Sequence, residues 1–413
     1  MKIQKNHLLI RWFSPLLTRN YMLWLWLGMG GIALLSEAMS HKVNNNYFVF
    51  THVYFHLLHQ QPLYIPYPHE YADVNLYGPL FSLIIAPFAI MPISVGVVLW
   101  VMANILFLYA AVKQLPIPHE HQQFVMLFSA MELLMNAQWL QFNACIAACL
   151  LLSFVHFRDD KPHLATLWIV LGSFTKLYGI TGLAFLLFSR KPMKAFFWLV
   201  IWGTIAFVLP MLLSSPEYIV SSYQQWFQAL IIKNAKNMTA SLNNYYQDIS
   251  VMGLIKRIGN IHAAIDGWVI LTGCLLMLIS YLPIIRFRFD PSFQWLWLSN
   301  ILLFTVLFST GSESPTYIIA VLGVAIWYVT YGAAKHRKLA EGLLIFTFFI
   351  TSIASTDLVT PWVRINITRH FALKALPCLL VWMMIIFDLM TGFVKPIWRK
   401  TTVPEKNLSI FSS

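Results

Sequence analysis

An all-α bundle of membrane-spanning helices is the fold class this sequence predicts, and three observations predict it. Hydrophobic residues make up 59% of the 413 residues and charged residues only 11%, against roughly a quarter charged in a soluble chain. The apolar residues fall in runs close to the length of about 20 that a bilayer requires. The basic residues, which give a net charge of +12, gather in short clusters between those runs. That is the pattern of loops facing anionic lipid, not of a nucleic-acid surface.

In chain order, a basic segment 1–19 (Lys2, Lys5, Arg11, Arg19) precedes a first span near 20–38. The span ends at Glu37 without a small-x-small cleavage pattern, so it reads as a retained anchor rather than a signal peptide. A polar segment, 39–75, follows. Further spans are expected near 76–92, 93–112, 123–138, 141–157, 163–188, 194–213, 263–285, 292–309, 315–332, 339–356 and 371–394, about twelve in all. The run 76–92 contains Pro87 and closes on Pro92, and 163–188 carries Lys176 in mid-span. A broken or re-entrant pair is the alternative for either. A second long polar segment spans 214–262, and a basic tail covers 395–413. Without tandem repeats or low-complexity tracts, 1–413 reads as one integral-membrane domain. The four cysteines, Cys145, Cys149, Cys274 and Cys378, lie inside apolar runs and act there as small hydrophobes.

Orientation follows from the clusters Arg190/Lys191/Lys194, Arg286/Arg288, Lys335/Arg337/Lys338 and Lys395/Arg399/Lys400. Placing them in the cytoplasm puts both termini there too. Arg158 and Lys161 then fall on the outer side, against the rule. On this topology 39–75, 214–262, the Ser312-Glu313-Ser314 turn and a 357–370 turn emerge together on the outer face. Four polar segments meeting on one face is what an outward-facing site needs.

Candidate chemistry concentrates in the first polar segment. Glu70 and Asp73 lie three residues apart and share a face if 69–75 makes a helical turn. A carboxylate there can act as general base toward a hydroxyl; a solvated loop pair is the bland alternative. His52, His56 and His59 repeat at i, i+4, i+7, one face of a possible helix, but no zincin pattern accompanies them and no metal is predicted. Lys176, within Thr175-Lys176-Leu177-Tyr178, is costly at membrane depth and asks for a cavity, an anion or an internal acid such as Glu132. Gln141 and Asn143 sit where two spans meet. Arg364, Arg369 and Lys374 cluster at the entry to the last span, placed to hold phosphate or to touch bulk headgroups. Tyr223, Trp226, Tyr245 and Tyr246 with Asn243, Asn244 and Gln247 suit sugar stacking, and equally an interfacial helix. Neither a nucleotide loop nor a serine-nucleophile motif is present, so ATP-driven transport and serine hydrolysis lack support.

Several motifs together resemble a known family. They are Gln61-Pro62-Leu63-Tyr64, then Asn75-Leu76-Tyr77-Gly78-Pro79-Leu80-Phe81, Ala86-Pro87-Phe88-Ala89-Ile90-Met91-Pro92, Leu99-Trp100 and Asn104. Gln141-Phe142-Asn143-Ala144, Thr175-Lys176-Leu177-Tyr178, Ser250-Val251-Met252-Gly253 and Glu313-Ser314-Pro315-Thr316-Tyr317 continue the series. Their order and spacing over about 50–390 resemble glycosyltransferase family 87, polyprenyl-phosphate-dependent enzymes of the GT-C superfamily. The asparagine-rich start and the Glu313–Tyr317 turn look like a Bacteroidetes branch of it.

The resemblance implies a GT-C helix bundle that moves a mannose-like hexose or a pentose, with inversion, from a polyprenyl-phosphate carrier. The acceptor would be a hydroxyl of a glycan or glycolipid on the outer side of the bacterial plasma membrane. It implies no cofactor. The family usually places its catalytic aspartate just after the first span, where this chain reads Asn45-Asn46-Tyr47-Phe48, and asparagine cannot serve as a base. Asp73 is the preferred substitute, with Glu70 and Glu37 as alternatives. Tyr64, Tyr77, Gln141, Asn143, Lys176, Glu313, Thr316, Arg364, Arg369 and Lys374 are the expected substrate-binding residues. A lipid-linked-sugar transporter or flippase, or a catalytically lapsed scaffold subunit, remains as rival.

Overall fold

The computed structural model describes residues 8–17, 21–40, 45–282 and 287–391. Among these residues all regular structure is helical, with no strand. Arg19, His41, Arg286 and the basic tail 395–413 lie outside them. The helices are α1 Leu8–Leu17, α2 Tyr21–Met39, α3 Asn45–Leu58, α4 Phe81–Ala89, α5 Ile93–Lys113, α6 His119–Gln138, α7 Asn143–Arg158 and α8 Pro162–Thr175. After a 3₁₀ segment Leu177–Phe188 come α9 Pro192–Val208, α10 Pro216–Ala240, α11 Val251–Gly259 and α12 Asp266–Ser280. Then follow α13 Pro291–Leu307, α14 Tyr317–Trp327, α15 Arg337–Phe346 and α16 Ala375–Thr391.

Local chemistry starts several of these helices. Ser215 and Asp290 cap α10 and α13, accepting N–H bonds from Tyr218 (3.4 Å) and Ser292 (2.7 Å), each followed by proline at the first helical position. Ser250 caps α11 through the Gly253 N–H at 3.3 Å, and Asn260, at φ 47°, ends it in the left-handed region.

A helix apolar all round must be surrounded by protein or by lipid, and both kinds occur. Every residue of α14 is buried, as is nearly all of α7 and α13; α13 packs along α14, and α14 touches α6 and α7. Outer helices keep large apolar side chains exposed: Met193, Phe196, Phe197 and Val200 on α9, and Trp268, Leu271, Leu275 and Leu278 on α12. Water would not tolerate such faces, whereas acyl chains do. Among the described residues, four helices are long and apolar enough to cross a membrane: Tyr21–Met39, Ile93–Lys113, Pro192–Leu212 and Ser314–Lys335. The other apolar helices are shorter.

Two sequence expectations are corrected, and one left open is decided. The run 76–92 is not a spanning helix: only Phe81–Ala89 is helical, and Tyr77-Gly78-Pro79 is irregular chain. The run 163–188 is a broken pair, α8 and the 3₁₀ segment folded against each other with Lys176 at the corner. A Cβ on Gly179 would stand 2.2 Å from the Gly172 carbonyl carbon, so only glycine allows this turn. Lastly, Glu132 does not pair with Lys176. Its partner is Lys374, whose Nζ lies 2.9 Å from Glu132 Oε2 with both side chains almost fully buried. The polar segments also carry regular structure: the possible helices over His52–His59 and within 214–262 are found as α3 and α10, and α11 is added to them.

The Glu132–Lys374 pair makes a stability prediction. Lys374→Met leaves a buried carboxylate alone and should destabilise by roughly 3–5 kcal/mol, whereas Lys374→Met with Glu132→Leu should regain most of that loss. Thermal unfolding of the detergent-solubilised variants reads both; equal losses would contradict it.

Candidate active site

The four polar segments come together. Ile249 N–H donates to Ser312 O at 2.8 Å, Gln247 Nε2 to Glu313 Oε1 at 2.7 Å, and Arg257 Nη1 to Arg369 O at 3.1 Å. The first segment joins them through Tyr218 Oη, which donates to Gln61 O at 2.5 Å. Two cavities lie among them. The larger, of about 550 Å³, is lined by Asp73, Tyr77, Gln141, Lys176, Tyr178 and Glu313 among others. The smaller, of about 440 Å³, is lined by Asn244–Gln247, Glu313–Pro315, Arg369 and Lys374 among others. Trp139, Gln247 and Glu313 line both, so the two meet there. Each has the size of a small-ligand site.

Asp73 reaches the larger cavity through a specific fold of the first segment. Asn45 Oδ1, at the start of α3, accepts the Ala72 N–H at 2.7 Å, which carries the next residue, Asp73, over the α3 N-terminus. Asn46 lines the same cavity and donates to Trp139 O at 2.9 Å. Asn75 Oδ1 accepts the Tyr77 N–H (2.9 Å) and Asn75 Nδ2 donates to Tyr77 O (3.1 Å), closing a tight turn. Gly78 N–H then donates to Thr175 O at 3.0 Å, so this loop is pinned to the residue before Lys176. A Cβ at Gly78 would stand 2.2 Å from Phe174 O. Gly78→Ala should therefore loosen the loop, cutting turnover and exposing 59–80 to limited proteolysis; an unchanged digestion pattern would contradict the pinning.

Lys176 donates to Asn143 Oδ1 at 2.7 Å and lies 5.4 and 5.1 Å from the ring centroids of Tyr77 and Tyr178. Among the described residues no carboxylate is within ion-pair distance of it. Its positive charge is thus held by an amide oxygen and two aromatic faces, an arrangement that leaves it attractive to an anion.

The remaining expected site residues divide. Gln141, which accepts from Tyr77 Oη at 3.1 Å, lines the larger cavity. Arg369 and Lys374 line the smaller one, although Lys374 is already neutralised by Glu132. Tyr64, Asn143 and Thr316 line neither cavity and act on those that do. Tyr64 Oη donates to Tyr77 O at 2.9 Å, and Thr316 Oγ1 accepts the Glu313 N–H at 3.2 Å. Arg364 is ion-paired with Asp357 and lines neither cavity. Glu37, on α2, lines neither. Glu70 faces the histidines: His56 Nε2 is 2.8 Å and His52 Nε2 3.9 Å from its Oε2. Burial pushes the His56 imidazole below its ordinary value, with Glu70 pulling the other way.

Some participants escaped the sequence reading. Lys233, Asn234 and Asn237 of α10 line the larger cavity, and their i, i+1, i+4 spacing is a polar helix face that could have been noticed. Tyr223 and Trp226, read as sugar-stacking candidates, pack instead with Val53, Leu57, Leu63 and Ile219 in a buried apolar cluster.

An all-helical, lipid-facing bundle whose polar segments close over joined cavities is a membrane protein built around a site. A model of glycosyltransferase family 87 matches residues 75–310, more than half of the chain, and the protein belongs to that family. It is a membrane glycosyltransferase. No curated protein and no solved structure matches the chain. The matched stretch includes Tyr77, Gln141, Asn143 and Lys176, while Asp73 lies two residues before it and Glu313 three residues after it.

Proposed function

We propose that this single integral-membrane domain transfers a hexosyl or pentosyl unit from a polyprenyl-phosphate carrier to a hydroxyl of a glycan or glycolipid. The reaction is a single inverting displacement on the outer side of the bacterial plasma membrane. The observation that carries this reading is the sharing of one cavity by Asp73 and Lys176. Asp73 takes the proton of the acceptor hydroxyl, the oxygen bonds to the anomeric carbon from one side, and the bond from that carbon to the carrier phosphate breaks on the other. The departing phosphate carries the negative charge, and Lys176 offsets it. Electrostatic support of that kind commonly supplies much of the catalytic effect. Tyr77, Gln141 and Glu313 line the space between as hydrogen-bonding partners for sugar hydroxyls.

The assignment of Asp73 is supported by Asn45 and Asn46, which stand where the family resemblance expects the aspartate. Asn45 draws Ala72, and with it Asp73, toward that place. The outer location rests on the basic clusters and on the grouping of the polar segments. Proteoliposomes supplied with a labelled polyprenyl-phosphate sugar and a candidate acceptor test the whole. Label moved to the acceptor by the wild type and not by Asp73→Asn supports transfer. Label crossing the bilayer unreacted supports a flippase instead, and neither event points to a lapsed scaffold.

A further inference from the structure

The smaller cavity has no part in the displacement just described, yet it is built. Arg257 of α11, only 5% exposed, spends its guanidinium on main-chain carbonyls. It donates to Ser241 O (2.9 Å), Asn244 O (3.1 Å) and Gln247 O (2.6 Å) on one wall, and to Arg369 O (3.1 Å) on the other. One buried cation therefore ties the irregular wall 241–247 to the helical turn ending at Arg369, which keeps the geometry of the site fixed.

The walls present two restrained tyrosines. Tyr246 is 57% exposed, yet its hydroxyl accepts from Arg369 Nη1 at 3.1 Å and the Arg369 guanidinium lies 4.8 Å from its ring centroid. The Tyr245 ring centroid lies 4.9 Å from that of His370 and 5.7 Å from the Arg257 guanidinium. An aromatic ring left exposed but held in place offers contact area with little further loss of conformational freedom. Beside these rings stand the amides of Asn244 and Gln247 and the carboxylate of Glu313. Ring faces flanked by amides and a carboxylate match the C–H faces and hydroxyl edges of a saccharide. They do not match an acyl chain, which offers no donor to Gln247 Oε1, an acceptor buried here without a partner.

We propose that this cavity is the acceptor site and that it takes a saccharide stacked on Tyr245 and Tyr246. The reacting hydroxyl points past Glu313 into the larger cavity, where Asp73 stands. The inference rests on the reading of the larger cavity as the donor site. Carrier and acceptor then occupy separate chambers that meet at Glu313, Gln247 and Trp139.

Purified protein in lipid nanodiscs tests this by saturation-transfer NMR with a panel of methyl glycopyranosides, and separately by titration with decaprenyl phosphate. The variants are Tyr246→Ala, Tyr246→Phe and Lys176→Met, each first matched to wild type in unfolding temperature. At least one glycoside should bind wild type, Tyr246→Ala should weaken it about tenfold, and Tyr246→Phe and Lys176→Met should not. Decaprenyl phosphate should show the reverse dependence, weakened by Lys176→Met alone. Absence of glycoside binding in the folded wild type, or binding lost in Lys176→Met and kept in Tyr246→Ala, overturns the acceptor site. Failure of decaprenyl phosphate to bind while the glycoside pattern holds sinks the donor reading instead.

Discussion

Asp73→Asn should lower turnover by about 10²- to 10⁴-fold, the range by which a positioned general base accelerates proton transfer. Asparagine has nearly the same shape and can still accept the Val74 N–H that Asp73 Oδ1 takes at 2.8 Å, so the loop should stay folded. What is lost is the ability to take a proton, and the deficit should appear in kcat with donor affinity unchanged. Glu70→Gln and Glu37→Gln are the controls. Glu70 already faces His56 and His52, and Glu37 lines neither cavity, so each should keep most of the activity. Full activity in Asp73→Asn with none in Glu37→Gln would displace the base assignment and leave the fold and family untouched.

Lys176→Met should cost about 10²- to 10³-fold in kcat, comparable to removing one preorganised donor from a developing negative charge. The other expected cations cannot substitute. Lys374 is neutralised by Glu132 in a buried pair, and Arg364 is ion-paired with Asp357. Lys233 also lines the larger cavity and supplies the obvious comparison. Being half-buried on α10 without the Asn143 contact and aromatic neighbours of Lys176, its replacement should have a smaller effect. The two variants differ in what they leave behind. Asp73→Asn should still bind decaprenyl phosphate normally, whereas Lys176→Met should bind it more weakly. Equal carrier affinity in wild type and Lys176→Met would remove the lysine from the phosphate role.

Features carried by local pattern were legible before the fold was known. The apolar runs gave most helix positions to within a few residues, because about 20 apolar residues in a row have few other outcomes. The polar turn before α14 and the contact among the four polar segments followed from the same reading. Long-range pairing was not legible. Glu132 and Lys374 are 242 residues apart in sequence, and no local pattern distinguishes Lys374 from Lys176 as the partner. The bond from Ala72 to Asn45 spans 27 residues and gives meaning to an asparagine that looked like a defect. Tyr223 and Trp226 went the other way, since an aromatic beside amides has the same composition whether it faces a ligand or a core. Helices α3 and α10 were visible only as possible helices, from the i, i+4, i+7 histidines and the interfacial aromatics, because neither is a run of about 20 apolar residues.

The bond from Gly78 to Thr175 has a consequence for how the protein meets its bilayer. Asp73 stands five residues before Gly78 and Lys176 directly after Thr175, so the proposed proton acceptor and the proposed phosphate cation hang from opposite sides of one main-chain hydrogen bond. Neither is carried alone by a helix that must tilt to match hydrocarbon thickness. A thicker or thinner membrane therefore moves the pair together. If the pair acts as proposed, mismatch should change access to the cavity from the bilayer more than it changes the spacing of Asp73 and Lys176.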